Sequence, residues 1–286
     1  MGVGPAMVVQ QHGSAAASAR VVAAAAVASV VVGVGGCGGG AAGGERNADP
    51  TGTVRGAADR LVREGSSQVR TSMEMASGGT RVTIHGDGVH DYRKGLGELQ
   101  VRLPQDAAGD EEHRPITELL APGALYMKNR GAGVPADKWV RVDVTTLTDG
   151  NLVTGGATDP LAAAELLRGA RNVTERGETD IAGVRTRHYK GDVELSVAAK
   201  AASAERKGAL EAAAKGFRKG RVPFDVYVDD EGLIRKVVHR FNFANGPEKD
   251  FAVRSTTLYR GFGKPVKVRL PAKGDIFAGK VAESGP

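Results

Sequence analysis

The sequence contains one cysteine and one tryptophan among 286 residues. A single thiol cannot form a disulfide within the chain, so the fold must be stabilised by a packed core. No apolar run reaches the ~20 residues that a membrane-spanning helix needs. The sequence has no Gly-x-Ser-x-Gly motif, and no glycine-rich loop stands between a strand and a helix. These absences predict a protein that is not an enzyme and has no nucleotide or other cofactor.

The charge of the chain is modest, with 39 Lys and Arg against 33 Asp and Glu, for a net charge of +6. The basic residues are scattered, whereas nucleic-acid binding requires a clustered basic face. We therefore expect no nucleic-acid partner, and a weak attraction to anionic lipid headgroups instead. The length suits one large domain or two small ones.

The cysteine has a distinctive position, at the end of Val34-Gly35-Gly36-Cys37 and directly after the apolar run 21–34. That run has the length of a signal-peptide core. The tetrapeptide resembles the lipobox of bacterial lipoproteins, in which the thiol receives a diacylglycerol before the signal peptide is removed. The resemblance implies a signal peptide over 1–36, acylation of Cys37 with palmitate-type chains, and anchoring at the extracytoplasmic face of the cell membrane. The alternative is a cytoplasmic Ala/Val-rich tail that happens to hold a cysteine.

After Cys37 the sequence is rich in glycine and lacks apolar periodicity, which predicts a flexible tether over 37–52. Such a tether would have a reach of ~20 Å. We expect a folded domain over 53–275 and a C-terminal tail over 276–286.

The first half of this domain predicts one short helix followed by strands. Apolar residues at spacings of three and four indicate an amphipathic helix over 53–64. Val69, Thr71, Met73 and Met75 alternate with polar residues, as in a strand with one covered face. The segment Gly86-Asp87-Gly88 predicts a hairpin turn.

The second half predicts helices between long strands. Asp159-Pro160 has the form of a helix start, and a hairpin is expected at Ala182-Gly183. The Ala-rich segment 194–217 indicates one or two helices, broken near Gly208. Alternating strands follow on both sides of a turn at 229–232 and continue to a last strand around 266–270. Consecutive antiparallel strands with a helical insert indicate the α+β class.

Candidate chemical sites are few. His85, Asp87, His90 and Asp91 could converge on a metal, but the glycines beside them favour a polar hairpin tip, and we expect no metal site. The segment 111–113, Glu-Glu-His, is expected to be a solvated loop. His188, beside Tyr189, is expected to be a structural hydrogen-bonding residue, and Trp139 a core or rim anchor.

Several sequence motifs, taken in their order along the chain, resemble those of the actinobacterial LppX/LprG lipoprotein family. The first is Asp159-Pro160 with Leu166-Leu167, followed by 177–189. Residues 223–235 resemble the next hairpin of that family, and residues 259–268 resemble its last strands. The resemblance covers about 53–275 together with the lipobox.

The resemblance implies a strongly curved antiparallel sheet, a half-barrel of the LolA type, with helices over its concave face and an apolar cavity between them. The implied function is binding, and transfer or presentation, of lipids or lipoglycans through their acyl chains by a monomer. The alternative is an RseB-like envelope sensor that binds a protein partner. Methionine side chains adapt to irregular apolar ligands. The residues expected to line the cavity are Met73, Met75, Leu99, Val101, Met127, Val226 and Phe241.

Overall fold

A computed structural model gives the fold of the chain after residue 48. The predicted signal peptide, Cys37 and most of the predicted tether therefore lie outside the described residues, as does the segment 111–113. The described residues are 49–77, 80–104, 114–130, 133–153, 157–217, 219–244 and 250–278.

The described residues form one antiparallel sheet of eleven strands. The order across the sheet is β6-β5-β4-β3-β2-β1-β11-β10-β9-β8-β7, so β6 and β7 are its two edges and the sheet is open. Strands that are neighbours in the sheet are also consecutive in the chain, except for β1 and β11, which pair with each other. The strands are β1 (Ser66–Ser77), β2 (Thr80–Asp91), β3 (Leu96–Arg102), β4 (Ile116–Ala121), β5 (Ala124–Lys128), β6 (Trp139–Asp143), β7 (Ala170–Ile181), β8 (Val184–Glu194), β9 (Arg221–Asp229), β10 (Ile234–Ala244) and β11 (Asp250–Arg260).

Four α-helices accompany the sheet in the described part of the chain. They are α1 (Pro50–Glu64), α2 (Pro160–Leu166), α3 (Leu195–Ala201) and α4 (Ala204–Gly216). Helix α1 begins three residues before the predicted start because Asp49 accepts hydrogen bonds from the amides of Thr51 and Gly52. Asp159 caps α2 in the same way, as the sequence predicted. No described helix has the length and apolar character needed to span a membrane.

The predicted α+β class is confirmed, and one face of the sheet carries the core. We call it the covered face; in β1 it is defined by Val69, Thr71 and Met73, whose side chains are buried, while Gln68 and Arg70 are exposed. Helix α1 packs against β1, β7 and β10, and α3 packs against β8. Together these elements enclose one hydrophobic core cluster.

The predicted turn at Gly86-Asp87-Gly88 is wrong, because β2 runs through it from Thr80 to Asp91. Both glycines lie on the covered face. A Cβ at Gly88 would lie 1.9 Å from the Glu98 carbonyl oxygen, and one at Gly86 would lie 2.6 Å from Thr71 Oγ1. These glycines therefore allow close approach of neighbouring chains within the sheet.

The helical insert breaks at Ala202 and Ser203, six residues before the predicted Gly208, which lies inside α4. The reason is tertiary, since the Ser203 amide donates to Glu165 Oε2 of α2 at 2.8 Å. The predicted last strand over 266–270 is also wrong, because this segment has no strand pairing. It leads instead to Ile276, which bridges Trp139 at the edge of the sheet.

Candidate ligand-binding face

The seven residues predicted to line a cavity all lie on strands and contribute to the core cluster of the covered face. Met75 is half-buried, whereas the other six are buried. The β strands therefore bring these residues to one face, as the period-two pattern requires. Their side chains fill the described core, and Phe241 also borders a surface groove of about 460 Å³.

Apolar side chains remain half-buried at the end of the sheet where β1 ends and β2 begins. Met75 lies directly opposite Val82 in the β1–β2 register. Leu103 directly follows β3, and Phe251 stands near the start of β11. We call this set the apolar rim. Its members are Met75, Val82, Leu103, Val134 and Phe251.

Hydroxyl groups line the middle of the covered face. Ser255 Oγ lies 2.8 Å from Thr158 Oγ1, which donates to the Leu152 carbonyl oxygen. Thr257 Oγ1 and His239 Nε2 are buried without a hydrogen-bond partner among the described residues. Burial lowers the pKa of His239 to about 3, so the imidazole is neutral at pH 7.

A buried charge cluster lies further along this face. Asp159 Oδ2 is 2.9 Å from Arg206 Nη2, and Asp159 Oδ1 is 3.5 Å from His90 Nε2. Burial opposes ionisation of Asp159, but the Arg206 guanidinium and His90 together bring the pKa of this carboxyl well below its usual range. Burial lowers the pKa of His90, so this histidine is neutral at pH 7.

The buried carboxyl of Glu118 on β4 has a different environment. In the strand register it lies between Leu99 of β3 and Met127 of β5, two of the predicted lining residues. Neither of its oxygens has a hydrogen-bond partner of proper geometry among the described residues. Burial raises the pKa of Glu118 to about 8, against the opposing charge of Arg130. The carboxyl is therefore mostly protonated at pH 7.

A groove of about 310 Å³ opens near the start of β4 and the end of β5, and we call it the Arg130 groove. Asn129 fixes its wall by donating from Nδ2 to the Pro115 carbonyl oxygen at 3.1 Å. Leu103 and Val134 of the apolar rim border it as well. The lining residues are Leu103, Arg114, Ile116, Asn129, Arg130, Val134, Pro135 and Ala136.

The opposite face of the sheet carries the other polar residues that the sequence singled out. His188 Nε2 lies 2.7 Å from Asp225 Oδ1, and its ring stacks on Tyr227 with centroids 4.4 Å apart. Asp225 also pairs with Arg240 at 2.6 Å. This geometry agrees with a structural role for His188.

The metal-ligand set considered from the sequence does not converge. His90 is buried on the covered face, while His85 is exposed and, with Asp87 and Asp91, occupies alternate positions of β2 on the other side. Among the described residues, no group of three or more His, Cys, Asp or Glu side chains could hold a metal ion.

Sequence reasoning missed Glu118 and Arg206. Glu118 could have been found, because it is the charged residue at an inward position of strand Ile116–Ala121, two residues after Ile116 and two before Leu120. Arg206 has no such local signal, since it stands among other charged residues at the start of an Ala-rich helix.

These features define a class of fold, an open antiparallel sheet with helices and a mixed apolar and polar lining on one face. No protein-family model matches this sequence, and no curated protein sequence matches it. Solved structures of similar fold include the lipoprotein LppX of Mycobacterium tuberculosis, with 13% identity and a TM-score of 0.46, over 77% of this chain and 98% of that one.

Two further structures are similar to this chain. LprF of Mycobacterium bovis has 14% identity and a TM-score of 0.40, over 78% of this chain and 97% of that one. A LolA superfamily protein of Nitrosomonas europaea has 11% identity and a TM-score of 0.31, over 79% and 96%. The chain is thus similar to LppX and LolA-superfamily structures over most of its length, at low sequence identity.

Proposed function

We propose that this protein is a lipid-anchored, extracytoplasmic protein that binds lipids or lipoglycans by their acyl chains and transfers or presents them. The acyl chains lie between the covered face and the elements packed on it, and no covalent chemistry is involved. Burying each CH₂ group contributes ~0.8 kcal/mol, so even part of a chain gives useful affinity.

The apolar rim is the observation that carries this proposal. Five apolar side chains stay only half-buried at one end of the sheet, packed against the core of the covered face. Two of them, Met75 and Val82, face each other across β1 and β2. An acyl chain would enter along this rim, toward Met73 and Ile84 in the core.

Buried polar atoms on the covered face, without a hydrogen-bond partner among the described residues, give independent support. Glu118, His239 and Thr257 are buried with free hydrogen-bonding atoms among the described residues. A buried polar group without a partner is costly, so such groups need an explanation. A ligand that carries ester, amide or hydroxyl groups beside its acyl chains would supply the missing partners.

The membrane part of the proposal rests on the sequence alone. Acylated Cys37 would hold the protein at the membrane, and the segment 37–52 would let the domain stand off the lipid surface. The proposal includes that the protein acts as a monomer.

Native mass spectrometry tests the proposal, followed by lipid extraction. The chain is purified without detergent from a host that makes the natural envelope lipids, both in full and as the segment from Asp49 onward, which holds the described core. A co-purifying amphiphile at near one-to-one stoichiometry is the expected result. A mass without ligand, together with unchanged Trp139 fluorescence on adding lipids, would contradict it.

The same purified protein distinguishes lipid carriage from the alternative function, that of an RseB-like sensor. Capture of one defined envelope protein by the ligand-free domain, at fixed stoichiometry and without lipid, would favour that function over lipid carriage.

A further inference from the structure

Glu118 is a buried carboxyl whose two oxygens have no hydrogen bond of good geometry among the described residues. Its side chain is fully buried on β4, with Leu99 and Met127 opposite it on the neighbouring strands. The Ala157 backbone lies near it and Arg130 acts on it through its charge. Still, both oxygens lack a hydrogen bond among the described residues.

A carboxyl in this state can serve a ligand in two ways. Burial keeps it mostly protonated at pH 7, so it can donate one hydrogen bond and accept another. Its natural partner is a neutral polar group, such as an ester carbonyl or a hydroxyl. A bound cation would require the ionised form, which this apolar environment disfavours.

The Arg130 groove lies close enough to Glu118 for one ligand to contact both. Ile116 lines the groove and stands two residues before Glu118 on the same face of β4, ~7 Å away by the rise of a strand. Arg114 and Arg130 both border the groove, and neither forms an ion pair with a described residue. Guanidinium groups bind phosphate through charge-assisted, often paired hydrogen bonds, so these two side chains offer the donors that an anion such as a phosphate needs.

We propose that Glu118 and the Arg130 groove form the polar subsite for an anionic acyl lipid. Arg114 and Arg130 bind the headgroup phosphate, and the Glu118 carboxyl forms hydrogen bonds with the ester or hydroxyl group next to it. The acyl chains continue along Leu103 and Met127. This inference rests on the proposed function and adds to it the sign of the headgroup charge and the place where it binds.

Photolabelling of the full chain tests this subsite. The protein is placed in phosphatidylcholine nanodiscs that contain a photoactivatable phosphatidylglycerol or, in a parallel arm, a photoactivatable diacylglycerol of the same chain length. Labelled peptides are identified by mass spectrometry. We expect the phosphatidylglycerol probe to label the segments around β3, β4 and β5.

Two substitutions separate the contributions. Glu118→Leu should lower labelling by both probes about five- to tenfold, as expected for one buried hydrogen bond, while raising the thermal midpoint because an unpartnered carboxyl is removed. Arg130→Gln should lower labelling by phosphatidylglycerol alone. Arg141→Gln, an exposed arginine on neighbouring β6, is the matched control and should change neither.

Each outcome bears on a different part of the proposal. A more stable Glu118→Leu protein with unchanged labelling would show that Glu118 has no role in binding and overturn the subsite. Millimolar inorganic phosphate that displaces the phosphatidylglycerol probe would assign the arginines to free phosphate and overturn the lipid headgroup. Absence of labelling of the domain by both probes would overturn the proposed function itself.

Discussion

Arg206 Nη2 lies 2.9 Å from Asp159 Oδ2, in an ion pair whose two side chains are only 3% and 10% exposed. The same guanidinium nitrogen donates to the Gly95 carbonyl oxygen at 3.1 Å. One side chain of α4 thus joins the start of α2 to the turn between β2 and β3. Tyr259 adds a second contact to this region by donating to the Pro160 carbonyl oxygen.

Removal of Arg206 should strongly destabilise the fold. The substitution Arg206→Met leaves Asp159 buried without its main partner, and we expect a loss of about 3 to 5 kcal/mol in the free energy of unfolding. Urea unfolding followed by circular dichroism measures it. The control is Arg185→Met, which breaks an exposed pair with Asp230 and should cost no more than ~1 kcal/mol. Equal losses in both variants would contradict the role given to Arg206.

Stability should fall as the pH rises from about 6.5 to about 8. Burial raises the pKa of Glu118 from 4.5 in the unfolded chain to about 8. In this window the folded state holds a proton that the unfolded state has lost, so rising pH favours unfolding. His90 and His239 have lowered pKa values; their contributions are complete above pH 6.5 and are lost as the pH falls below it.

Glu118→Gln isolates this effect, because the amide does not titrate. Its free energy of unfolding should stay level between pH 6.5 and pH 8.5, whereas that of the unsubstituted protein declines. Urea titrations at these two pH values measure the difference, and parallel slopes would show that Glu118 is ionised in the folded protein.

Two glycine substitutions should have opposite effects. A Cβ at Gly88 would collide with the Glu98 carbonyl oxygen, so Gly88→Ala should disrupt the β2–β3 pairing and lower the thermal midpoint. Gly56 lies in α1, where an added Cβ would meet no atom within 4 Å, and Gly56→Ala should stabilise the helix by about 0.5 to 1 kcal/mol. A Gly88→Ala protein as stable as the original would mean that the two strands can separate at little cost.

Replacing each of the two methionines of β1 by a charged residue should have a different effect on lipid binding and stability. Met75 belongs to the half-exposed rim, so Met75→Lys should reduce lipid co-purification more than it reduces stability. Met73 is 2% exposed, and Met73→Lys should mainly unfold the protein, since a buried charge is very costly. Native mass spectrometry and urea unfolding, run on both variants, make the comparison. Full lipid retention by a folded Met75→Lys protein would remove the rim from the binding path.

Cys37 should control attachment to the membrane. We expect Cys37→Ala to remain unacylated and uncleaved by the lipoprotein peptidase, because the proposed acceptor of the lipid is the thiol. Metabolic labelling with a palmitate analogue, together with the mass of the N-terminus, follows both steps. Normal processing and acylation of this variant would refute the lipobox interpretation.

Local sequence patterns predicted much of the sheet. Alternation identified β1, β9, β10 and β11, and the turns at Ala182-Gly183 and 229–232 lie where they were expected. Ala182 and Gly183 both have positive φ angles, of 54° and 83°, as a tight hairpin requires. The Asp159-Pro160 start of α2 was equally visible, because a cap acts within one turn of helix.

The errors occurred where a distant segment decides the local structure. Gly86 and Gly88 have the composition of a turn, yet they serve the close approach of Thr71 and Glu98 from neighbouring strands. The break in the helical insert is set by Glu165 of α2 rather than by Gly208. Neither partner can be read from the segment itself.

The sequence by itself determined the α+β class, the strands with one apolar face and the residues that this face presents, because side-chain periodicity is a property of the local backbone. Only the tertiary structure decided which polar groups contact each other on the covered face. Arg206 reaches Asp159 across 47 positions of the chain, and Glu118, between Leu99 and Met127, has no hydrogen bond of good geometry among the described residues. Burial and pairing depend on residues far apart in the sequence, so the charge state of this face is a property of the folded chain.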